Sequence, residues 1–274
     1  MKVALLGTSG AEGWPGLFCR CEACGKAREL RGKNLRTRSS ALIDGVLKID
    51  FPPDILTQVI QNNLDLRCMK ALLFTHAHDD HFSGAELQYR GEHFVPTPIE
   101  EYLPVFGPQE VIKELSCRYE PGSLPLTWKS LRLWQTVLIE GYQITPLEAQ
   151  HDHSQECFNY IIQDSEGATL LYASDTGWYE EETWEFLADF TLDGIVVECA
   201  KGPVEGGYRG HLCIPEVLQM RQKLIAMGCF RPENPMVTTH FSHLGGLMHD
   251  ELEALLNPHN VQVGYDGMIF SVEG

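Results

Sequence analysis

The sequence predicts an α/β protein arranged in layers. A four-layer αββα sandwich fits it, although periodicity alone leaves other α/β plans open. Short apolar runs typical of strands recur along both halves of the 274 residues, with helix-like segments between them. The two halves look alike in plan. No internal repeat, low-complexity tract or linker separates them, so we predict one domain over residues 1–274.

The strand predictions rest on apolar runs bounded by polar or turn-forming residues. The predicted strands are Val3–Leu6, Ser40–Ile43, Val46–Ile49, Ala71–Phe74, Leu131–Leu133, Tyr142–Leu147, Phe158–Ile162, Thr169–Ala173, Gly194–Glu198, Met236–Thr239, Gln262–Val263 and Met268–Val272. Among the helices, Pro215 and Glu216 mark a good start, because proline and an acidic residue favour the first helical turn. The predicted helices are Pro53–Asn63, Phe82–Leu87, Glu180–Phe190, Pro215–Met227 and His249–Asn257.

The composition is ordinary for a soluble globular protein, with 43% hydrophobic and 22% charged residues. No run approaches the ~18 apolar residues that a membrane-spanning helix needs. The first residues, Met1–Gly7, carry one lysine and too short an apolar stretch for a signal peptide, so they are better explained as a first strand. We therefore predict a cytoplasmic protein without a membrane partner.

The formal net charge of −17 argues against broad binding to nucleic acid, which needs clustered lysine and arginine. It does not argue against a small anionic substrate, because bound metal cations reverse the potential locally. Among nine cysteines, six stand singly among apolar residues and are predicted to be buried thiols: Cys68, Cys117, Cys157, Cys199, Cys213 and Cys229.

The segment Thr75–His81 places four potential metal ligands in six positions, directly after the apolar run Ala71–Phe74. A strand that ends in His-x-His-x-Asp-His can present these side chains from one loop toward two adjacent metals. Imidazole nitrogen and carboxylate oxygen suit zinc and similar divalent ions. The segment therefore predicts a metal site formed by His76, His78, Asp80 and His81.

Three later strand ends supply candidates for the remaining ligands. His151 follows one strand, Asp175 another and His240 a third. Because a carboxylate has two oxygens, Asp175 is the natural shared ligand of two metals, which at about 3.5–4 Å apart can stabilise both the attacking and the leaving oxygen. His153 is an alternative to His151, although the spacing from the preceding strand favours His151. Asp50, after another strand, is either a turn residue or a group that orients a ligand.

Taken together, Thr75–His81, His151, Ser174–Thr176 and His240 resemble the five-motif signature of the metallo-β-lactamase superfamily. The resemblance implies a bridging hydroxide that Asp80 helps to orient, and two divalent metals, with zinc, manganese and iron left open. It assigns one metal to His76, His78 and His151, the other to Asp80, His81 and His240, and the bridging position to Asp175.

Cys19, Cys21 and Cys24 form a C-x-C-x2-C cluster, whose members are too close in sequence to pair comfortably as disulfides. Three thiolates at this spacing suggest a structural zinc site that needs a fourth ligand. Unligated thiols and a redox pair of Cys21 and Cys24 are the alternatives, and the redox pair lacks a thioredoxin-like context. The cluster resembles one branch of the superfamily, the phosphoribosyl cyclic phosphodiesterases of bacterial phosphonate breakdown, and this resemblance implies that His243 is the fourth ligand.

The resemblance also implies a catalytic role for His211, which stands ahead of the helix that starts at Pro215. Such a histidine can protonate a leaving oxygen or stabilise charge on phosphorus; a helix-capping or surface position is the alternative. The segment 92–134 resembles nothing that we can place, and we expect it to line the substrate pocket.

These features predict a dinuclear metal-dependent phosphodiesterase that uses a metal-bound hydroxide on a small, anionic, cyclic phosphodiester such as a ribose 1,2-cyclic phosphate. The resemblance also implies a homodimer. An RNA 3′-end endonuclease shares the motif but needs a basic arm that the sequence lacks. A lactone, thioester or lactam hydrolase shares the metal core but needs neither His211 nor the cysteine site. A di-iron redox site usually has glutamate where this chain has His78, and a non-catalytic module would not need every ligand position filled.

Overall fold

Two seven-stranded sheets and six helices make up the protein in a computed structural model that describes residues 1–274. The strands are β1 (Lys2–Gly7), β2 (Ser40–Ile43), β3 (Leu47–Ile49), β4 (Ala71–Leu73), β5 (Leu103–Gly107), β6 (Leu126–Ser130), β7 (Val137–Ile139), β8 (Tyr142–Glu148), β9 (Phe158–Gln163), β10 (Thr169–Ala173), β11 (Gly194–Glu198), β12 (Met236–Thr239), β13 (Gln262–Val263) and β14 (Met268–Ser271). The helices are α1 (Glu22–Leu30), α2 (Ile55–Gln61), α3 (Gln109–Arg118), α4 (Glu181–Leu187), α5 (Ile214–Ala226) and α6 (His249–Leu256).

The two sheets repeat one plan. The first has the order β14-β1-β2-β3-β4-β5-β6 and the second the order β13-β12-β11-β10-β9-β8-β7. In the first sheet the pairs from β14 to β3 are antiparallel and those from β3 to β6 are parallel. In the second, β7 to β10 pair antiparallel and β10 to β13 pair parallel. The parallel part of each sheet therefore presents several strand ends along one edge. Of the predicted ligands of the dinuclear centre, those after β4, β10 and β12 lie at these ends, whereas His151 follows β8 of the antiparallel part.

Three apolar cores define four layers, and the predicted αββα sandwich is confirmed. The middle core lies between the sheets and includes Ile49 of the first and Tyr172 of the second. A second core packs Trp184 of α4 and Leu252 of α6 against the outer face of the second sheet. The third, under α2 and α3, packs against the outer face of the first sheet. β10 and β11 are buried along their whole length, as expected for strands covered on both faces.

Most predicted strands are present, and Ser40–Ile43, Gly194–Glu198 and Met236–Thr239 have the predicted bounds. The strand predicted at Leu131–Leu133 is wrong: these residues enter a turn, and the strand begins later, at Val137. The helix predicted at Phe82–Leu87 is instead a 3₁₀ stretch over Gly84–Arg90.

The segment 92–134 belongs to the first sheet rather than to the pocket. It forms β5, α3 and β6, which complete the parallel side of that sheet. Val111 and Leu115 of α3 are buried in the third core. Because this burial fixes the segment against the sheet, none of its residues lines the large cavity described below.

Four of the six isolated cysteines are buried as predicted, whereas Cys68 and Cys117 are exposed. Cys68 ends a short 3₁₀ turn and Cys117 lies on the solvent side of α3, so neither packs into a core. No helix in the structure is both long enough and apolar enough to cross a membrane.

Candidate metal centre

Seven histidine and aspartate side chains converge at the ends of strands from both sheets. The loop after β4 supplies four of them. The loops after β8, β10 and β12 supply His151, Asp175 and His240 in turn. The ligand atoms form two groups, within each of which all atoms lie within 4.8 Å of one another. Asp175 belongs to both groups, which is the position that a bridging carboxylate requires.

The first group contains His76, His78, His151 and Asp175. His78 Nδ1 lies 2.9 Å from His76 Nε2 and 3.1 Å from His151 Nε2. The other nitrogens of two rings face acceptors: His78 Nε2 donates to Asp152 at 3.0 Å, and His151 Nδ1 donates to the Gly210 carbonyl at 3.1 Å. Because a neutral imidazole carries one hydrogen, the inner nitrogens of these two rings present lone pairs to each other. A cation between them fits this arrangement.

The second group contains Asp80, His81, Asp175 and His240. His81 Nδ1 donates to Asp50 at 2.7 Å, so in the neutral ring Nε2 carries a lone pair. That atom lies 3.2 Å from Asp80 Oδ2 and 3.0 Å from Asp175 Oδ2. His81 Nε2 and Asp175 Oδ1 are buried and lack a well-directed hydrogen bond. Nitrogen and oxygen lone pairs that face each other in a dry site are the donor set of a divalent cation.

The structure distinguishes the alternatives that the sequence left open for His151 and His153 and for Asp50. His151 is buried in the first group, whereas His153 is exposed. Asp50 is both a turn residue and an orienting group. Its φ angle of 56° is left-handed, and its carboxylate accepts hydrogen bonds from the Thr75 backbone N–H at 2.8 Å and from His81.

His211 lies beside the first group, paired with a carboxylate that the sequence analysis did not single out. Its Nδ1 is 2.7 Å from Glu198 Oε1, and its ring centroid is 4.9 Å from that of His151. Glu198 is fully buried at the end of β11 and also accepts from the backbone N–H groups of Thr176, Ala200 and Leu212. Burial lowers the pKa of His211, but the Glu198 carboxylate outweighs that effect and raises it to about 9.

A cavity of about 720 Å³ opens above these side chains. His78, Asp80, His151, His211 and His240 line its floor. Its walls come from three loops, residues 10–12, 200–208 and 242–245. Lys201 is the one lysine or arginine in the lining, and its ammonium is held by Glu216 at 3.0 Å. The cavity is large enough for a small substrate with its reacting centre at the ligand cluster.

The three clustered cysteines and His243 form a separate group at one side of this cavity. His243 Nδ1 lies 3.8 Å from Cys19 Sγ and 3.6 Å from Cys21 Sγ. Bond lengths of about 2.3 Å to sulfur and 2.1 Å to nitrogen imply about 3.6 Å between such atoms around a tetrahedral zinc. A hydrogen bond from the Cys24 backbone lowers the pKa of Cys21 to about 6, whereas burial raises that of Cys24 to about 11. The group fits a zinc ion, and all its thiols are free of disulfides.

Sequence reasoning missed Glu198, Asp152 and Tyr208. Glu198 is a carboxylate at the end of an apolar strand, the same signal that drew attention to Asp175. Asp152 directly follows His151, which offers a weak signal for a residue that supports a neighbouring histidine. Nothing in the sequence marks Tyr208, whose hydroxyl donates to the His151 carbonyl from a loop of exposed residues.

Comparison with known proteins assigns the chain to a family. The model of the beta-lactamase superfamily domain matches residues 42–245. No curated protein sequence matches the chain. A solved diphosphatase of the PhnP family is 19% identical and superposes with a TM-score of 0.78, covering 99% of this chain and 98% of that chain.

Two further structures are similar over their whole length. Zinc-bound PqqB from Methylobacterium extorquens is 18% identical with a TM-score of 0.76, over 99% of this chain and 100% of that one. Human short-form tRNase Z is 16% identical with a TM-score of 0.67, over 100% of both chains. At these identities the likeness shows the fold, and the family match extends over most of the sequence. The chain therefore belongs to the beta-lactamase superfamily and has the metallo-β-lactamase fold.

Proposed function

We propose that this protein is a metal-dependent phosphodiesterase that hydrolyses a small phosphodiester. The observation that carries the proposal is the pair of His211 and Glu198 beside the two ligand groups. Phosphodiester cleavage expels an oxygen leaving group that needs a proton, and it builds charge on oxygens that a nearby cation stabilises. The 2.7 Å contact between His211 and the buried Glu198 carboxylate supports a role for His211 in both tasks.

The two ligand groups would hold two divalent cations, with Asp175 between them. Zinc and manganese both suit this set of imidazoles and carboxylates. Such cations would activate water for attack and would stabilise the phosphoryl oxygens.

Asp80 and His211 have different roles in the proposed reaction. Asp80 lines the cavity floor, where its carboxylate can accept a hydrogen bond from the attacking water and fix the direction of attack. His211 delivers the proton of its outward nitrogen to the leaving oxygen, while Glu198 keeps Nδ1 protonated and the ring in one orientation. A lactone or lactam also expels a group that takes up a proton, so we favour phosphorus over carbon because the cysteine cluster and His211 together resemble the cyclic phosphodiesterases.

A small substrate fits better than RNA. The net charge of −17 and the one lysine in the cavity lining offer little to a polyanion. By resemblance, a cyclic ribose phosphodiester is the favoured substrate. The similar structures include a protein named a diphosphatase and one named a tRNase, and both names denote cleavage at phosphorus.

The first test is hydrolysis of bis(p-nitrophenyl) phosphate and of cyclic ribose phosphodiesters by protein loaded with Zn²⁺ or Mn²⁺. We expect turnover that His78→Ala abolishes. His153→Ala is the matched control, because His153 is an exposed neighbour of a ligand, and it should retain full activity.

Lactone and thioester substrates and a transfer RNA should be included in the same test. Turnover of an acyl substrate without any phosphodiesterase activity would overturn the proposal in favour of an acyl hydrolase. Salt-sensitive binding and cleavage of the transfer RNA would favour the nuclease.

A further inference from the structure

Lys48 is a fully buried lysine in the middle of the first sheet. It lies on β3, where its neighbours Leu47 and Ile49 face the core between the sheets. Lys48 therefore faces the other side, next to its cross-strand partners Leu42 and Leu72. No carboxylate lies within ion-pair distance of the Lys48 ammonium. An apolar side chain would therefore be expected at this position. Burial lowers the pKa of Lys48 to about 7, against the opposing charge of Asp50.

The ammonium binds only backbone oxygens. Its Nζ donates to the carbonyl of Ile49 at 3.1 Å and to the carbonyl of Asp50 at 2.5 Å. These two carbonyls belong to the last residue of β3 and to the left-handed residue that follows it, with a φ angle of 56°. Left-handed backbone is unfavourable for a residue with a Cβ and persists where its surroundings hold it. Lys48 holds both peptide groups of this turn, so rotation of either one breaks a hydrogen bond.

The turn is important because Asp50 contacts both β4 and the loop that carries the candidate metal ligands. The Asp50 N–H donates to the Leu73 carbonyl of β4, at 2.8 Å. Its carboxylate accepts from the Thr75 backbone and hydroxyl and from His81 Nδ1. Asp50 therefore fixes both the start of the ligand loop and the ring of one ligand of the second group. A change in its backbone angle would move the carboxylate and release the His81 ring.

From these contacts we infer that Lys48 is a positioning residue for the metal centre: it braces the left-handed turn at Asp50 and, through the Asp50 carboxylate, holds His81 in the orientation that binds metal. The inference concerns metal affinity. It rests on the two ligand groups and not on the choice of phosphodiester as substrate.

The test is the affinity of metal-free protein for Zn²⁺ and Mn²⁺, measured by competition with a chelator in the absence of substrate. Lys48→Met keeps the length of the side chain and removes the donors. We expect it to fold and to bind the more weakly held ion of the dinuclear centre about tenfold less tightly, the lower end of the effect of losing an outer partner of a metal ligand. The matched control is Lys70→Met, because Lys70 is exposed immediately before β4, and the affinity of this variant should equal that of the wild type.

A double-mutant cycle with Asp50→Asn identifies the route of the effect. If Lys48 acts through Asp50, the loss of affinity in the double variant is smaller than the sum of the two single losses. Wild-type affinity in Lys48→Met, or full additivity with Asp50→Asn, would overturn the inference. Should Lys48→Met fail to fold, Lys48→Leu also removes the donors and matches the neighbouring Leu42 and Leu72, and a wild-type affinity in that variant would overturn the inference equally.

Discussion

Tyr208 and His151 are joined through the backbone: the Tyr208 hydroxyl donates to the His151 carbonyl. Two residues later, the Gly210 carbonyl accepts from His151 Nδ1. The short segment Tyr208–Gly210 thus holds both the main chain and the ring of His151, a candidate metal ligand, immediately before His211. Orientation of a ligand and of the proposed proton donor therefore depends on one loop.

Tyr208→Phe tests this dependence with the ring retained. Losing the hydroxyl leaves the His151 carbonyl without its donor, which costs about 1 kcal/mol. We expect kcat/KM for a phosphodiester to fall by about three- to tenfold, with weaker binding of the metal at the first group. Steady-state kinetics and metal titration check this. Unchanged values in both would show that the hydrogen bond does not position His151.

Gly177 tests the close approach of the same loop to the Asp175 turn. A Cβ at Gly177 would lie 1.7 Å from the Arg209 carbonyl oxygen, a backbone atom that cannot move alone. We expect Gly177→Ala to lower the free energy of unfolding by about 3 kcal/mol or more, since a packed backbone must shift. Gly25→Ala is the control: its Cβ meets nothing within 4 Å in α1, so it should stabilise by about 0.5–1 kcal/mol. Chemical denaturation of both variants measures the difference.

The pH dependence of activity reports on His211. Burial lowers its pKa, but Glu198 raises it to about 9, above the ~6.5 of an unfolded histidine. The stability that the charged His211 ring contributes to the fold is therefore fully present below about pH 6.5, and it is lost as the pH rises through about 9. In Glu198→Gln we expect the alkaline limb of the pH profile of kcat to shift to lower pH by about one pH unit or more. In the control Glu205→Gln, at an exposed residue of the neighbouring loop, the limb should stay in place. An identical alkaline limb in Glu198→Gln would remove His211 from the role of proton donor.

The cysteine group can be tested by counting metal. Cys24 is buried in the group, and Cys24→Ser replaces a thiolate ligand by a hydroxyl that binds zinc poorly. We expect the variant to contain one zinc equivalent fewer and to unfold several degrees lower, because metal binding contributes directly to folding. Cys68→Ser, at an exposed and isolated cysteine, should match the wild type in both respects. Elemental analysis and thermal unfolding give the two readouts, and unchanged zinc content in Cys24→Ser would contradict the assignment.

The sequence predicted best where one physical signal dominates. Gly194–Glu198 was predicted with its final bounds because a strand buried on both faces is a continuous apolar run. The strand Leu103–Gly107 was missed because Pro104 interrupts the pattern, and Leu126–Ser130 because it alternates toward solvent at the sheet edge.

For the candidate site, the candidate metal ligands could be predicted from their positions after strands. The side chains that hydrogen-bond to them could not be predicted. Glu198 contacts His211 across 13 residues, and Asp50 contacts His81 across 31. Such pairs depend on how strands are ordered in the sheets, which local periodicity does not encode. Lys48 was assigned to a strand, but a lysine between apolar residues of a strand is expected to face solvent, whereas Lys48 is buried.

Both ligand groups draw on both halves of the chain: the residues before β5 supply His76, His78, Asp80 and His81, and those after β7 supply His151, Asp175 and His240. A cation in either group is therefore a cross-link between the two sheets. During synthesis the first group is complete only after Asp175 has left the ribosome, and the second only after His240 has, so metal loading follows the docking of the second sheet on the first. The metal content of a newly made chain would then serve as a measure of whether its two halves have closed correctly.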